Sequence, residues 1–288
     1  MRQAVLKSPD DEPSPTRDVR AGLTFITPSG KKPVFESATY TGNLPRVLFE
    51  TERHVVEITD LRPLASGFTL EREGFALRRS PTAVTDLYDD RAVDDLYYRE
   101  VEALLRSAIG ASRVIIFDAT RRSDAGTGAR NRDGLRGPAS RVHVDYTEKS
   151  GPQRLKDLLG EAEASRLLAS GARIIQLNVW RPIKGPVARS PLALADASSI
   201  RPQDLIATDQ IFPDRIGEIY HLAYHPGQRW YYAPGMTPDE VLLIKGWDSL
   251  TDGRARFTPH GAFDLPATAE SAPPRESLEV RTMAIIES

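Results

Sequence analysis

From Arg173 to the C-terminus the chain is a succession of short apolar segments broken by turn residues: Arg173 to Arg181, Leu192 to Ala195, Asp204 to Ala207, Ile216 to Tyr224, Arg229 to Ala233, Glu240 to Trp247, Arg256 to Phe263 and Glu276 to Ile286. Segments this short, so closely spaced, predict the antiparallel strands of a sandwich or distorted barrel. Upstream, Ala21 to Ile26, Val47 to Glu50, His54 to Ile58 and Phe75 to Leu77 read as further short strands, and Arg113 to Asp118 as a buried one. Two helical stretches interrupt this pattern. In Asp94 to Ile109, Leu96, Tyr97, Val101, Leu104, Leu105 and Ala108 recur at helical spacing, with Gly110 as a stop. Pro152 to Ala169 repeats the pattern with Leu155, Leu158, Leu159, Ala162, Leu167 and Leu168. Between strand and site, Ser123 to Gly137 is rich in Gly, Arg, Asp and Asn, and reads as a mobile loop of the kind that serves as a lid. Helices lie early and strands late, so the expected architecture is mainly β with flanking helices. It forms one domain over 19–288 behind a loose polar tail at 1–18.

Composition narrows the chemistry. A chain of 288 residues can bury a sizeable core, and its net charge of -2 argues against a protein devoted to nucleic acid or anionic membrane. No apolar run reaches the roughly 18 residues of a membrane span, and the N-terminus lacks a signal-peptide core, so a cytoplasmic location is expected, with a homodimer as the base-rate assembly. There are no cysteines, which excludes disulfides, thiolate metal sites and cysteine nucleophiles. A metal would need nitrogen and oxygen ligands, and the only histidines are His54, His143, His221, His225 and His260. Gly126-Thr-Gly128 lacks the spacing of a phosphate loop, so nucleotide binding is not expected.

The segment Arg141-Val-His143-Val-Asp145-Tyr-Thr147 holds the only His-x-Asp of the chain. In a strand, residues i and i+2 share a face, so His143 and Asp145 would offer one nitrogen and one carboxylate oxygen to one metal. A third ligand from a distant histidine completes the 2-His-1-carboxylate set of non-haem Fe(II) oxygenases. His260 and His221 are both available for that position. His221 precedes an apolar run about 40 residues before His260, and reads better as a pocket residue than as a ligand.

Several segments together carry a family resemblance: Phe117-Asp-Ala-Thr-Arg121, His143-Val-Asp-Tyr-Thr147, Asn178-Val-Trp-Arg-Pro182, Trp230-Tyr-Tyr232, Pro238-Asp-Glu240, Asp252-Gly-Arg-Ala-Arg-Phe-Thr-Pro-His260 and Pro274-Arg-Glu-Ser277. From about residue 20 onward the chain resembles the oxygenase family that includes gibberellin desaturase, the cephem 7α-methoxylase subunit and fungal and bacterial natural-product oxygenases. The resemblance implies a double-stranded β-helix (a jelly-roll core), Fe(II), 2-oxoglutarate and O2. It implies oxidation of an unactivated C–H of a small natural product, by hydroxylation, desaturation or ring formation, with succinate and CO2 formed. A metal-dependent isomerase, or a non-catalytic partner subunit on the same fold, are the alternatives.

Carried over residue by residue, the resemblance makes His143, Asp145 and His260 the iron ligands. For 2-oxoglutarate it offers Arg275 with Ser277, as an Arg-x-Ser pair, or Arg281 on the same strand face. A hairpin centred near Ala269 would set Arg281 almost opposite His260. Arginine suits the role because its planar fork matches a carboxylate and keeps its charge. Asn178 is a further candidate for 2-oxoglutarate. Arg121, Arg181, His221, Trp230 and Tyr232 are candidates for lining the substrate pocket. Ala119 stands where relatives often carry His.

Overall fold

A computed structural model describes residues 17–42, 44–132, 134–266 and 268–287. Most of the expected N-terminal tail therefore lies outside the described residues. Its last two residues are anchored: Arg17 N donates to Asp60 Oδ2 at 3.3 Å and Asp18 Oδ1 accepts from Asp60 N at 2.7 Å.

The core is two facing sheets of unequal size, one of ten strands and one of five. The smaller runs Phe75–Arg79, Glu240–Asp248, Arg173–Pro182, Glu276–Ile286, Arg113–Ser123, antiparallel throughout. Its central strand Arg173–Pro182 alternates Ile175, Leu177 and Val179 on one face with Gln176, Asn178 and Trp180 on the other, and both faces are buried. The aliphatic face packs against helix Tyr98–Ile109 and the helical segment Val93–Tyr97 that leads into it, through Tyr97, Val101 and Leu105, which the helical period stacks on one side. Each such fully buried side chain contributes about 1.5–3 kcal/mol. The other face meets the larger sheet, where Phe75, Trp180, Leu242 and Ile244 pack on Leu192, Leu194 and Ala262. The larger sheet curls until strand Val19–Ile26 bridges its middle, with Val142 N donating to Thr24 O at 2.9 Å. Leu23, Phe25, Val142, Ala193, Ala195 and Trp230 fill that curl. This is the expected mainly β double-stranded β-helix with flanking helices. Among the described residues no helix is long and apolar enough to cross a membrane.

Several boundaries differ from expectation, each for a local reason. The first helix begins a turn early at Asp90, because the Asp89 carboxylate caps it by accepting from Arg91 N and Ala92 N. The second is two helices, Ser150–Leu159 and Glu161–Ala169, broken at Gly160 with φ 81°. Part of the expected loop 123–137 is a small hairpin, Ala129–Asn131 with Gly134–Arg136. The strand expected from Arg256 is only His260–Ala262, since Pro259 cannot donate to a ladder and Thr258 Oγ1 instead bonds Gly74 O at 2.8 Å. The expected terminal hairpin does not form. His260–Ala262 belongs to the large sheet and Glu276–Ile286 to the small one. The connection between them, with Pro266, Pro273 and Pro274, crosses from sheet to sheet instead of turning back.

Candidate active site

Strand His143–Val144 lies between His260–Ala262 and Ile216–Leu222 in the large sheet. Register places His260 opposite His143, and His143 opposite His221. Paired residues share a face, so the three imidazoles form one row. Val142 and Val144 point the other way and are fully buried. The rings of His143 and His260 are 4.7 Å apart, and His143 Nε2 stands 3.7 Å from Asp145 Oδ1.

Both imidazoles are oriented by their own strands. His143 Nδ1 lies 2.8 Å from Arg141 O and His260 Nδ1 lies 3.0 Å from Thr258 O. A carbonyl only accepts, so each Nδ1 carries the proton and each Nε2 is left as a lone-pair donor, the tautomer a metal requires. Burial, with His260 adding to it, pushes the His143 imidazole down to about 3, so it stays neutral. Burial opposes the charge on Asp145, but Arg281, His143, His260 and Asn178 outweigh it and hold the carboxyl well below the usual range. Two nitrogens and one ionised oxygen are the donor set that Fe(II) takes. As the side chains stand, no three His, Asp or Glu among the described residues close to the spacing of a formed metal site. Asp145 Oδ2 is engaged instead by Asn178 Nδ2 at 2.5 Å and Arg281 Nε at 3.4 Å.

The two candidate arginines divide clearly. Arg281 is committed to carboxylates: Asp118 at 2.5 Å, Glu279 at 2.7 Å and Asp145 at 3.4 Å. These outweigh the cost of burying its charge and raise its pKa further. It sits opposite Asn178 and Asp118, not opposite His260 as the absent hairpin would have placed it. Arg275 is buried with its guanidinium 5.8 Å over the Trp180 ring, and Nη1 donates to Ser190 O at 2.7 Å. Its Nε and Nη2 are buried with no hydrogen-bond partner. Burial, reinforced by Arg122, pushes its pKa down to about 10. A cationic edge with two idle donors is suited to a bidentate carboxylate. Ser277, two residues further on, is buried too, with Oγ 3.4 Å from Arg122 O.

The remaining candidates fall into three groups. Asn178 is in the site, but it donates to Asp145 while its Oδ1 accepts from Gln176 Nε2 at 2.6 Å, so it braces the carboxylate and is not free for a co-substrate. His221 is in the row beside His143. Arg121, Arg181, Trp230 and Tyr232 are elsewhere. Arg121 faces the helices, bonding Leu87 O and Asp90. Arg181 lies an odd number of residues from Asn178, so it takes the opposite face and is spent on the Tyr97 hydroxyl, Pro238 O and Ser80 O. His260 pairs with Leu194 and Leu194 with Tyr231, so Tyr231 shares the site's face while Trp230 and Tyr232 fill the curl behind it.

Residues not anticipated are Gln176, Asp118, Glu279 and Arg141. Each lies two residues from one that was anticipated, or pairs with it across a strand. The same i+2 alternation that joined His143 to Asp145 also reaches Arg141, Gln176 and Glu279.

A family model described as an oxidoreductase/YMDC permease-like domain matches residues 23–285. The chain is 35% identical over 254 residues to the hydroxylase/desaturase efuI of Hormonema carpetanum, covering 81% of this chain and 83% of that protein. It is 31% identical over 271 residues to the Fe(II)/2-oxoglutarate-dependent dioxygenase nvfI of Aspergillus novofumigatus, covering 91% and 94%. In solved structures it is similar to the iron and alpha-ketoglutarate-dependent endoperoxidase NvfI, with a TM-score of 0.82 at 29% identity over 96% of this chain and 100% of that one. Fold and site thus define a double-stranded β-helix oxygenase. The chain belongs to the family of Fe(II)/2-oxoglutarate-dependent hydroxylase/desaturases that these relatives represent.

Proposed function

We propose that His143, Asp145 and His260 hold Fe(II), and that Arg275 with Ser277 takes the distal carboxylate of 2-oxoglutarate. The protein is an enzyme, an Fe(II)/2-oxoglutarate-dependent oxygenase that uses O2. One observation carries the ligand assignment: two adjacent imidazoles, each with Nδ1 bonded to a carbonyl of its own strand, flank an ionised aspartate. Bound iron with its co-substrate supplies an oxidant strong enough to take hydrogen from an unactivated carbon. The protein's own residues do the rest. Asn178 and Arg281 keep Asp145 ionised and aimed, Arg275 fixes the far end of the co-substrate, and Trp180 walls that end from water.

The substrate is a small natural product, oxidised by hydroxylation, desaturation or ring formation. The working unit is a single domain spanning 19–288, in the cytoplasm, as a homodimer. The net charge of -2 supports a partner other than nucleic acid.

The test is an anaerobic titration with Fe(II) and then 2-oxoglutarate, followed by visible absorption. A weak charge-transfer band that needs both additions, and that His260→Ala removes, is the expected result. Iron binding without the band would favour a metal-only isomerase, and no iron binding would overturn the reading in favour of a non-catalytic subunit.

A further inference from the structure

Beyond His143 the large sheet continues through strands Ile216–Leu222, Leu205–Ile211, Val34–Glu36 and Arg46–Val47. Register runs the site's face across them. Ile206 is opposite His221, Phe35 is opposite Gln210, and Val47 is opposite Phe35. Contacts confirm the shared face: Phe49 packs on the His221 ring at 4.8 Å, and His221 Nδ1 lies 3.0 Å from Thr208 Oγ1. The apolar side chains here, Phe35, Val47, Phe49 and Ile206, are only half-buried and belong to none of the four core clusters among the described residues.

One cation stands on this face. Arg141 precedes His143 by two residues and shares its side of the strand. Its guanidinium lies 5.4 Å over the Phe35 ring. Its Nε is buried without a hydrogen-bond partner, no carboxylate of the described residues pairs with it, and burial alone perturbs it. Apart from Arg275, whose idle donors are assigned to the co-substrate, arginines elsewhere in this site are matched or donate to carbonyls: Arg281 has three carboxylates, and Arg122 donates to Gly137 O at 2.9 Å. A stacked, half-desolvated guanidinium with idle donors is the arrangement that binds a planar oxyanion.

We propose that this face is the substrate subsite, and that Arg141 binds a carboxylate on an apolar substrate skeleton lying over Phe35, Phe49 and Ile206. The assignment rests on reading His143, Asp145 and His260 as the iron site. His221 adds a neutral acceptor to the same face. Thr208 Oγ1 donates to Ile206 O at 3.2 Å, so Nδ1 of His221 carries its own proton and Nε2 is free to accept from a substrate hydroxyl.

The experiment uses the full chain loaded anaerobically with Fe(II) and 2-oxoglutarate, with 2-naphthoate and 2-naphthamide as probes, read by calorimetry while the charge-transfer band is monitored. The acid should bind about tenfold or more tighter than the amide. Arg141→Gln should abolish that preference, Arg141→Lys should keep part of it, and the band should persist in both. Equal binding of acid and amide, a preference that survives Arg141→Gln, or failure of both probes to bind overturns the proposal. So does loss of the band on adding naphthoate, which would place the acid on Arg275. Failure of the iron reading is a separate outcome: the band never forms, while the metal-free chain still shows the Arg141-dependent preference.

Discussion

Arg275 and Arg281 lie on one face at the end of the chain, yet their burdens differ. Arg275→Gln should raise the KM for 2-oxoglutarate by about 100-fold or more, the loss of two charge-assisted bonds worth about 1.5–3 kcal/mol each, with iron binding unchanged. Arg281→Gln should do the reverse. It strands Asp118, Glu279 and Asp145 together, so iron affinity should fall and stability drop by about 3–5 kcal/mol, measured by urea unfolding. A matching KM effect from Arg281→Gln would exchange the two assignments. The histidines give a pH signature. Burial, with His143 and Arg141 adding to it, pushes His221 down to about 3, and His143 lies as low. Between that value and the usual value near 6.5 the unfolded chain binds more protons than the folded one, so stability is lost as pH falls through this window. Each imidazole should cost roughly 2 kcal/mol by pH 5. The urea midpoint of metal-free protein should fall from pH 7 to 5, and less steeply in His221→Gln. A flat profile would contradict this burial.

Among the elements, the strand pair Arg173–Pro182 and Glu240–Asp248 carries a bulge beside the site. Gln176 pairs with Trp247 and Leu177 with Lys245, which leaves Gly246 as the extra residue. A Cβ there would stand 1.8 Å from Gln176 Oε1. Gly246 thus makes room for the side chain that holds Asn178, which in turn holds Asp145. Gly246→Ala should cost about 1–3 kcal/mol and lower iron affinity about tenfold or more. Adding Gln176→Ala should relieve the clash and recover part of the stability; no recovery would mean the bulge, not the contact, is at fault. This device also marks how far the sequence could be read. Alternation made His143 and Asp145 legible, and the strand Glu276–Ile286 was bounded correctly because its apolar pattern is unbroken. A bulge is decided by the partner strand, so Gly246 looks like any glycine. The missing terminal hairpin has the same cause: spacing cannot say in which sheet a strand will pair. Arg121 and Arg181 misled because one residue of phase separates the site face from the helix face.

At the scale of the molecule, ligand binding and folding are linked. The proposed iron site draws on both sheets: His143 and His260 come from the large one, while Asn178, Arg281 and Arg275 come from the small one or its approach. Fe(II) with 2-oxoglutarate at about 100 times Kd should therefore add about 2.7 kcal/mol and raise Tm by roughly 5–10 °C. Asp145→Ala should cancel the shift in a thermal melt, and a shift that persists would place the metal elsewhere. Five strands face ten, so only part of the large sheet has a sheet opposite it. The paired part carries the proposed iron site, and a substitution there disturbs packing on two sides. The unpaired part carries the proposed recognition surface, where Phe35, Val47, Phe49 and Ile206 answer to little but the guest. On this plan what is oxidised could be exchanged by drift on one half of a sheet, leaving the half proposed to hold the iron untouched.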